Sequence, residues 1–210
     1  MSESLPVEKR LIKIVIPDAG PINTLAAAGL LHFFLAPKNV TMVVIHSVFR
    51  EIVSRAPELQ WFLSANLDRI QIVRTSVCVD DEAKILRGEP VGKGRGDLAI
   101  ADFLLNHLDD SVGNAPALII FEDKKLIRLH DVGDVSENAH FITTPAYLRK
   151  LEAEGIIDSF DRVWRQVVDA NFSADPEFCR ILSTKEVERE AEQGSAIFPA
   201  RRPPRLSVHP

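Results

Sequence analysis

The sequence has few cysteines, no long apolar segment and no excess of positive charge. Its two cysteines, Cys78 and Cys179, lie far apart, which excludes a disulfide framework or a zinc site and favours a reducing compartment. No apolar run approaches the ~20 residues of a membrane helix, and residues 1–10 are polar, unlike a signal peptide. We therefore expect a cytoplasmic protein without a membrane segment.

Acidic residues outnumber basic ones, 30 to 25, and the formal net charge is −5. This balance does not support nonspecific nucleic-acid binding, which normally shows as a basic footprint. It is compatible with a nucleic-acid enzyme, because an acidic metal site contributes negative charge of its own. A chain of 210 residues with 46% hydrophobic residues fits one globular domain with an extension, although two small domains would also fit.

Short apolar runs alternate with helical patterns over residues 11–157. The apolar runs predict five strands, at residues 11–16, 41–46, 69–75, 117–121 and 140–144. The patterns between and after them predict helices at residues 21–35, 47–55, 58–68, 80–87, 97–108, 123–133 and 145–157. Ser47 is expected to act as the N-cap of its helix. This alternation predicts an α/β domain with a mostly parallel central sheet.

The pattern changes beyond Gly155. Apolar residues at helical spacing between Phe160 and Val168 predict one helix, and two shorter helices are expected after it. Residues 196–210 are rich in Pro and Arg and predict an extended tail. The predicted organisation is a tail over 1–10, the α/β domain over 11–157, a helical extension over 158–195 and a tail over 196–210.

Carboxylates follow the ends of several predicted strands. Asp18 closes the first strand, Glu51 lies one helical turn past the second, and Asp97 opens the helix after a glycine-rich loop. Glu122 and Asp123 close the fourth strand. Ligands of an open parallel sheet bind beyond the carboxyl ends of its strands, and clustered carboxylates are stable mainly around a cation. Oxygen ligands suit Mg²⁺ or Mn²⁺, which supports phosphodiester hydrolysis.

Each acid taken alone has a simpler explanation. Asp18 is as well placed to cap the following helix as to bind a ligand, and Glu51 alone is typical of a solvated helix face. Asp97 could be a first-turn acid that the helix dipole favours. Glu122 is expected to face away from the site or to support Asp123. Only the combination of acids indicates a metal site.

Four segments, in order and spacing, resemble PIN domains: DAGPINTLAAAGLL, VFREIV, GRGDLAIADFLL and LIIFEDKKLIR. The sequence is most similar to the prokaryotic branch that includes VapC-type toxins, and FITTPAYLRKLEAEGII also resembles that branch. The resemblance covers roughly residues 11–157. It implies a three-layer α/β/α sandwich and Mg²⁺- or Mn²⁺-dependent cleavage of single-stranded or structured RNA.

The resemblance also implies which residues bind the metal and catalyse the reaction, namely Asp18, Glu51, Asp97 and Asp123. Asn23 lies near the polar residue that often supports the first acid. Two positions depart from the family: Asp97 stands where Glu is frequent, and Phe121 stands where a small hydroxyl residue is frequent. Asp102, five residues after Asp97, is a competing candidate for the third acid.

Other motifs are less specific. The segment GKGRG at residues 92–96 lacks the ending of a P-loop, so Lys93 and Arg95 are candidate RNA phosphate contacts or parts of a flexible loop. Gly20 stands where a haloacid-dehalogenase-like phosphatase would have a second Asp. Trp61 and Trp164 are expected to be packing anchors.

The leading hypothesis is a metal-dependent endoribonuclease that acts on RNA. If it is the toxin of a toxin–antitoxin pair, the resemblance implies an antitoxin protein that covers the acidic groove, and a homodimer is common among such proteins. The alternative is a non-catalytic, degenerate PIN-fold module that binds protein or RNA through its carboxyl-terminal extension. The departures at Asp97 and Phe121 and the ~50 extra residues motivate this alternative.

Overall fold

The computed structural model describes residues 12–16, 18–55, 57–92, 95–122, 139–174 and 198–199. These residues form an α/β protein with five parallel strands, and a two-residue strand adds to one edge in the antiparallel direction. The strands are β1 Ile12–Ile16, β2 Val40–Ile45, β3 Ile70–Val73, β4 Ala117–Phe121, β5 Ala139–Thr143 and β6 Phe198–Pro199. The five strands expected from the apolar runs are confirmed close to their predicted bounds.

The order of the strands in the sheet is β3-β2-β1-β4-β5-β6. The chain proceeds from β1 through β2 to β3 at one edge, and then returns to place β4 on the other side of β1. The direction of winding therefore reverses between β1 and β4. A crevice forms at the carboxyl ends of the strands at such a switch point, and ligands of doubly wound sheets bind there.

Strands β1 and β4 form the centre of the sheet. All five residues of β4 are buried, and Ile14, Val15 and Ile16 of β1 have no exposed surface. Strands covered on both faces show continuous apolar runs instead of alternation. This burial explains why both strands were recognisable in the sequence.

The helices pack in two groups. They are α1 Gly20–Ala27, α2 His46–Arg55, α3 Pro57–Ala65, α4 Ser76–Leu86, α5 Arg95–Asp102, α6 Leu108–Val112, α7 Thr144–Ala153 and α8 Phe160–Ala174, with a 3₁₀ helix Leu31–Leu35 and a π-helical turn Phe103–His107. Helices α1 and α7 pack against α8, whereas α2 contacts α3 and α5, and α5 contacts α4. The arrangement is consistent with a three-layer sandwich.

Three helix predictions need correction. The helix expected over residues 21–35 breaks at Gly29, whose φ of +72° is strained for other residues, and continues as the 3₁₀ helix. The helix expected over 97–108 is interrupted by the π-helical turn. Helix α2 begins at His46, directly after β2, so Ser47 lies inside the helix and is not its N-cap.

The helix predicted after Gly155 is present as α8 and packs on the α/β domain. Its residues Phe160, Val163 and Val167 belong to the same hydrophobic core as the sheet. Gln166 Nε2 also donates a hydrogen bond of 2.9 Å to the carbonyl oxygen of Ala28, at the end of α1. The helices predicted at 123–133 and after residue 174 lie outside the described residues.

None of the helices in the described part of the chain has the length and apolar character that a bilayer crossing requires.

Because Val167 is fully buried in this shared core, we expect Val167→Ala to lower the free energy of unfolding by roughly 2 kcal/mol. The matched control is Val79→Ala on α4, where the side chain is 53% exposed and the expected change is within about 0.5 kcal/mol. Urea denaturation followed by circular dichroism measures both. Equal effects of the two substitutions would show that α8 is not part of the cooperative core.

Candidate functional site

Three of the four predicted acids line one cleft of about 430 Å³. Asp18 lies just after β1, Glu51 lies on α2, which follows β2, and Asp97 lies in the first turn of α5. The structure therefore brings together three carboxylates from separate segments at the carboxyl end of the sheet. The fourth predicted acid, Asp123, lies outside the described residues.

The cleft carries more negative than positive charge. Asp81 also lines it, which makes four carboxylates, against the two guanidinium groups of Arg50 and Arg95. Such an excess of carboxylates favours a bound cation. The lining also includes Ser47, whose hydroxyl oxygen is buried and has no hydrogen-bond partner among the described residues.

Asp18 is not the N-cap of α1. The N-cap is Ala19, and α1 has no capping side chain within the described residues. The Asp18 carboxylate instead accepts a hydrogen bond of 2.7 Å from the backbone N–H of Ala19. The interpretation of Asp18 as a helix cap is wrong because the helix begins one residue later than that role requires. Asp18 remains partly exposed to the cleft.

Glu122 bridges two helices at the end of β4. Its Oε2 accepts a hydrogen bond of 2.8 Å from the Thr24 hydroxyl on α1, and its Oε1 accepts one of 2.7 Å from the Thr144 hydroxyl on α7. Burial raises the pKa of Glu122 to about 7 and the charge of Asp18 adds to this rise, although the two hydroxyl groups oppose it. Glu122 therefore lies near Asp18 but is not among the described residues that line the cleft, and Asp123, which Glu122 was alternatively expected to support, lies outside the described residues.

Gly20 makes room for this arrangement. A Cβ atom at position 20 would lie 2.9 Å from Glu122 Oε2 and 3.2 Å from Asp18 Oδ2. Real Cβ atoms do not approach other atoms so closely without displacing them, so a side chain here would push on both carboxylates. In the sequence, Gly20 spoke against a haloacid-dehalogenase-like phosphatase, which would have Asp at this position. The structure gives a steric reason for glycine here, because a side chain would collide with Glu122.

Asp102, the last residue of α5, forms hydrogen bonds with α4 and with the π-helical turn. It accepts hydrogen bonds from the Ser76 hydroxyl at 2.5 Å, the Val77 N–H at 3.2 Å and the Asn106 amide at 2.9 Å. Burial alone would raise its pKa, but these three donors and the nearby His107 lower the pKa overall. Asp102 is not among the described residues that line the cleft, whereas Asp97 is.

The remaining candidates differ in their surroundings. Arg95 lines the cleft but is paired with α4, through bonds of 2.6 Å to both Asp80 and Asp81, whereas Lys93 lies outside the described residues. Asn23 is a half-buried residue of α1 that is not part of the described cleft lining.

The two tryptophans do not behave alike. Trp61 is 75% exposed, so its prediction as a packing anchor is wrong, because α3 turns this position towards solvent. Trp164 is half-buried and stacks on Phe160 with ring centroids 6.0 Å apart, which confirms its packing role.

Within the described ranges, no three His, Cys, Asp or Glu side chains lie close enough together to form a metal-ligand cluster. Mg²⁺ does not require one, since it usually keeps several waters and takes only one or two protein carboxylates directly. Asp18, Glu51 and Asp97 supply carboxylate oxygens to this cleft, the ligand type that a hydrated Mg²⁺ prefers.

Sequence reasoning missed the two threonines that hold Glu122. Thr144 directly follows β5, so the rule that selected acids at strand ends would also have selected this hydroxyl group. Thr24 gives no comparable signal, because it lies within α1 and meets Glu122 only through the pairing of β1 with β4.

The raised pKa of Glu122 predicts a pH-dependent stability for the metal-free protein. The folded state holds this proton more tightly than the unfolded chain, whose carboxyl pKa is 4.5. The resulting stabilisation is fully present below pH 4.5 and is lost as the pH rises through about 7. Relative to Glu122→Gln, wild type should lose on the order of 2 to 3 kcal/mol over this range.

Urea denaturation in EDTA at a series of pH values measures this difference. A gap between wild type and Glu122→Gln that stays constant with pH would contradict the burial of an ionisable carboxyl group at this position.

Comparisons of the chain with models of known protein families, with curated proteins and with solved structures gave no match. The function is therefore argued from the geometry and chemistry of the cleft.

Proposed function

We propose that the protein is a metal-dependent endoribonuclease of the PIN type. The observation that carries the proposal is the convergence of Asp18, Glu51 and Asp97 on one cleft, from three separate segments of the chain. Asp18 and Glu122 follow β1 and β4, the strands between which the winding of the sheet reverses. This is the place where doubly wound sheets bind their ligands.

The chemistry of the lining fits a phosphodiester substrate. Carboxylates alone would repel RNA, so a hydrated cation is needed to bring the two together, bound directly by one or two of Asp18, Glu51 and Asp97 and through water by the rest. When bound, Mg²⁺ or Mn²⁺ would lower the pKa of a coordinated water and neutralise phosphoryl oxygens. Arg50 lines the same cleft, and its guanidinium group can bind a phosphate oxygen.

The expected partners are an RNA substrate, a second copy of the chain and, if the protein is a toxin, an antitoxin. Large apolar side chains are exposed on α4 and α5, including Val79, Ile85, Leu86 and Leu98. Exposed apolar surface of this kind favours association with another protein chain. Charge complementarity favours an antitoxin that presents basic side chains to the acidic cleft.

Asp18→Asn should abolish most of the activity. On a single-stranded RNA of mixed sequence with Mg²⁺ or Mn²⁺, we expect the cleavage rate to fall by at least about 100-fold, because loss of even a supporting group at a metal site costs about 10- to 100-fold. Asp68→Asn, which changes an exposed acid in the turn before β3, is the matched control and should cleave like wild type. Equal rates for wild type and Asp18→Asn would refute the proposal.

A non-catalytic binding module is the second candidate. The observation that favours it is the lack of a three-ligand metal cluster within the described ranges, together with the exposed ring of Trp61 on α3. Such a module would bind RNA or protein without requiring a cation.

Calorimetric titration with Mn²⁺ separates the two candidates. The nuclease should show one saturable site in wild type, and Asp97→Asn should weaken its affinity at least about 10-fold because a direct oxygen ligand is lost. A binding module would give no saturable Mn²⁺ heat in either protein while still retaining RNA in a filter-binding assay.

A further inference from the structure

The Glu122 carboxyl group joins three elements that are distant in the sequence. It stands at the end of β4 and bonds to Thr24 of α1 and Thr144 of α7. The two threonines are 1% and 0% exposed, so water cannot replace the carboxylate as their partner without opening the structure. A buried hydroxyl group without a partner is destabilising, which makes the bridge a strong constraint on where these elements lie.

The same bridge determines the space available to the loop that carries Asp18. Gly20 lies next to the Glu122 carboxyl group. Even a methyl group at this position would collide with Glu122 Oε2 and approach Asp18 Oδ2. The Glu122 carboxyl group and the Asp18 carboxylate therefore both lie close to Gly20. Because Thr24 belongs to α1, whose first residue is Gly20, the bond from Thr24 to Glu122 holds the helix that begins directly after Asp18 and Ala19.

We propose, on the basis of the nuclease function proposed above, that Glu122 is a positioning residue for the cation site. Its bridge to Thr24 and Thr144 fixes the loop from Asp18 to Gly20 and thereby sets the geometry of Asp18 in the cleft. Glu122 itself is not among the described residues that line the cleft, so it acts through Asp18 and not by direct contact with RNA.

This role depends on hydrogen bonding and shape. Glutamine has the same shape as glutamate, and a threonine hydroxyl can either donate to its oxygen or accept from its amide. Glu122→Gln can therefore keep both bonds, whereas Glu122→Ala removes the acceptor that both threonine hydroxyl groups share. Gly20→Ala keeps the bridge atoms but forces the Glu122 carboxyl group away from its position.

The test compares Mn²⁺ affinity by calorimetry in the full chain, at a temperature where circular dichroism shows each variant folded. We expect Glu122→Ala and Gly20→Ala to weaken Mn²⁺ binding about 10- to 100-fold, and Glu122→Gln to stay within about threefold of wild type. Gly92→Ala is the matched control, because a Cβ at Gly92 meets nothing within 4 Å. Thr24→Val, which removes only the hydroxyl group, should weaken binding in the same direction as Glu122→Ala.

A second readout does not depend on metal or activity. In the metal-free protein, the backbone amide NMR signals of Asp18 and Gly20 should shift in Glu122→Ala and in Thr24→Val, but hardly in Glu122→Gln. This pattern reports directly on the position of the loop.

Three results would overturn the inference. If Glu122→Gln loses as much Mn²⁺ affinity as Glu122→Ala, the charge is required and Glu122 is a ligand. If folded Glu122→Ala keeps wild-type affinity and unshifted Asp18 and Gly20 signals, the bridge is only structural. If wild type neither binds Mn²⁺ nor cleaves RNA, the proposed function itself fails and the inference fails with it.

Discussion

The pairing of β1 with β4 is the constraint on which the rest of the structure depends. These strands are about a hundred residues apart in the chain, yet they lie side by side, with Ile14 opposite Leu118 and Val15 opposite Ile119. Their burial on both faces makes the pairing the centre of the hydrophobic core. Because they run in parallel, their carboxyl ends meet, and the residues that follow them are forced together whatever their charge.

The carboxyl groups that meet at this edge of the sheet repel one another, and the surroundings of the buried group differ from those of the cleft-facing groups. Glu122 is tucked against two threonine hydroxyl groups and is partly protonated near neutral pH, which reduces its repulsion with Asp18. The carboxylates of Asp18, Glu51 and Asp97 face the cleft instead, where a cation would relieve their mutual repulsion. The buried carboxyl group of Glu122 and the cleft-facing carboxylate of Asp18 thus both lie close to Gly20, which explains why a side chain at position 20 would disturb both.

The sequence predicted the features that follow from local patterns. The buried parallel strands were visible as continuous apolar runs, and the strand-end rule placed Asp18, Glu51 and Asp97 at one edge of the sheet, where they line one cleft. Contacts between distant segments were not predictable. The bond from Thr24 to Glu122 spans 98 residues and has no periodic signal, and the exposure of Trp61 depends on which face of α3 meets α2. Asp123 and Lys93 stay predictions.

The most direct test of the central claim is a crystal structure of the protein soaked in Mn²⁺, with the ion located by its anomalous scattering. A cation site built by Asp18, Glu51 and Asp97 predicts an anomalous peak in the cleft, about 2.1 Å from at least one of these carboxylates, with the remaining coordination completed by water. A fully soaked crystal with an open cleft and no peak there would contradict the claim that this edge of the sheet binds a metal.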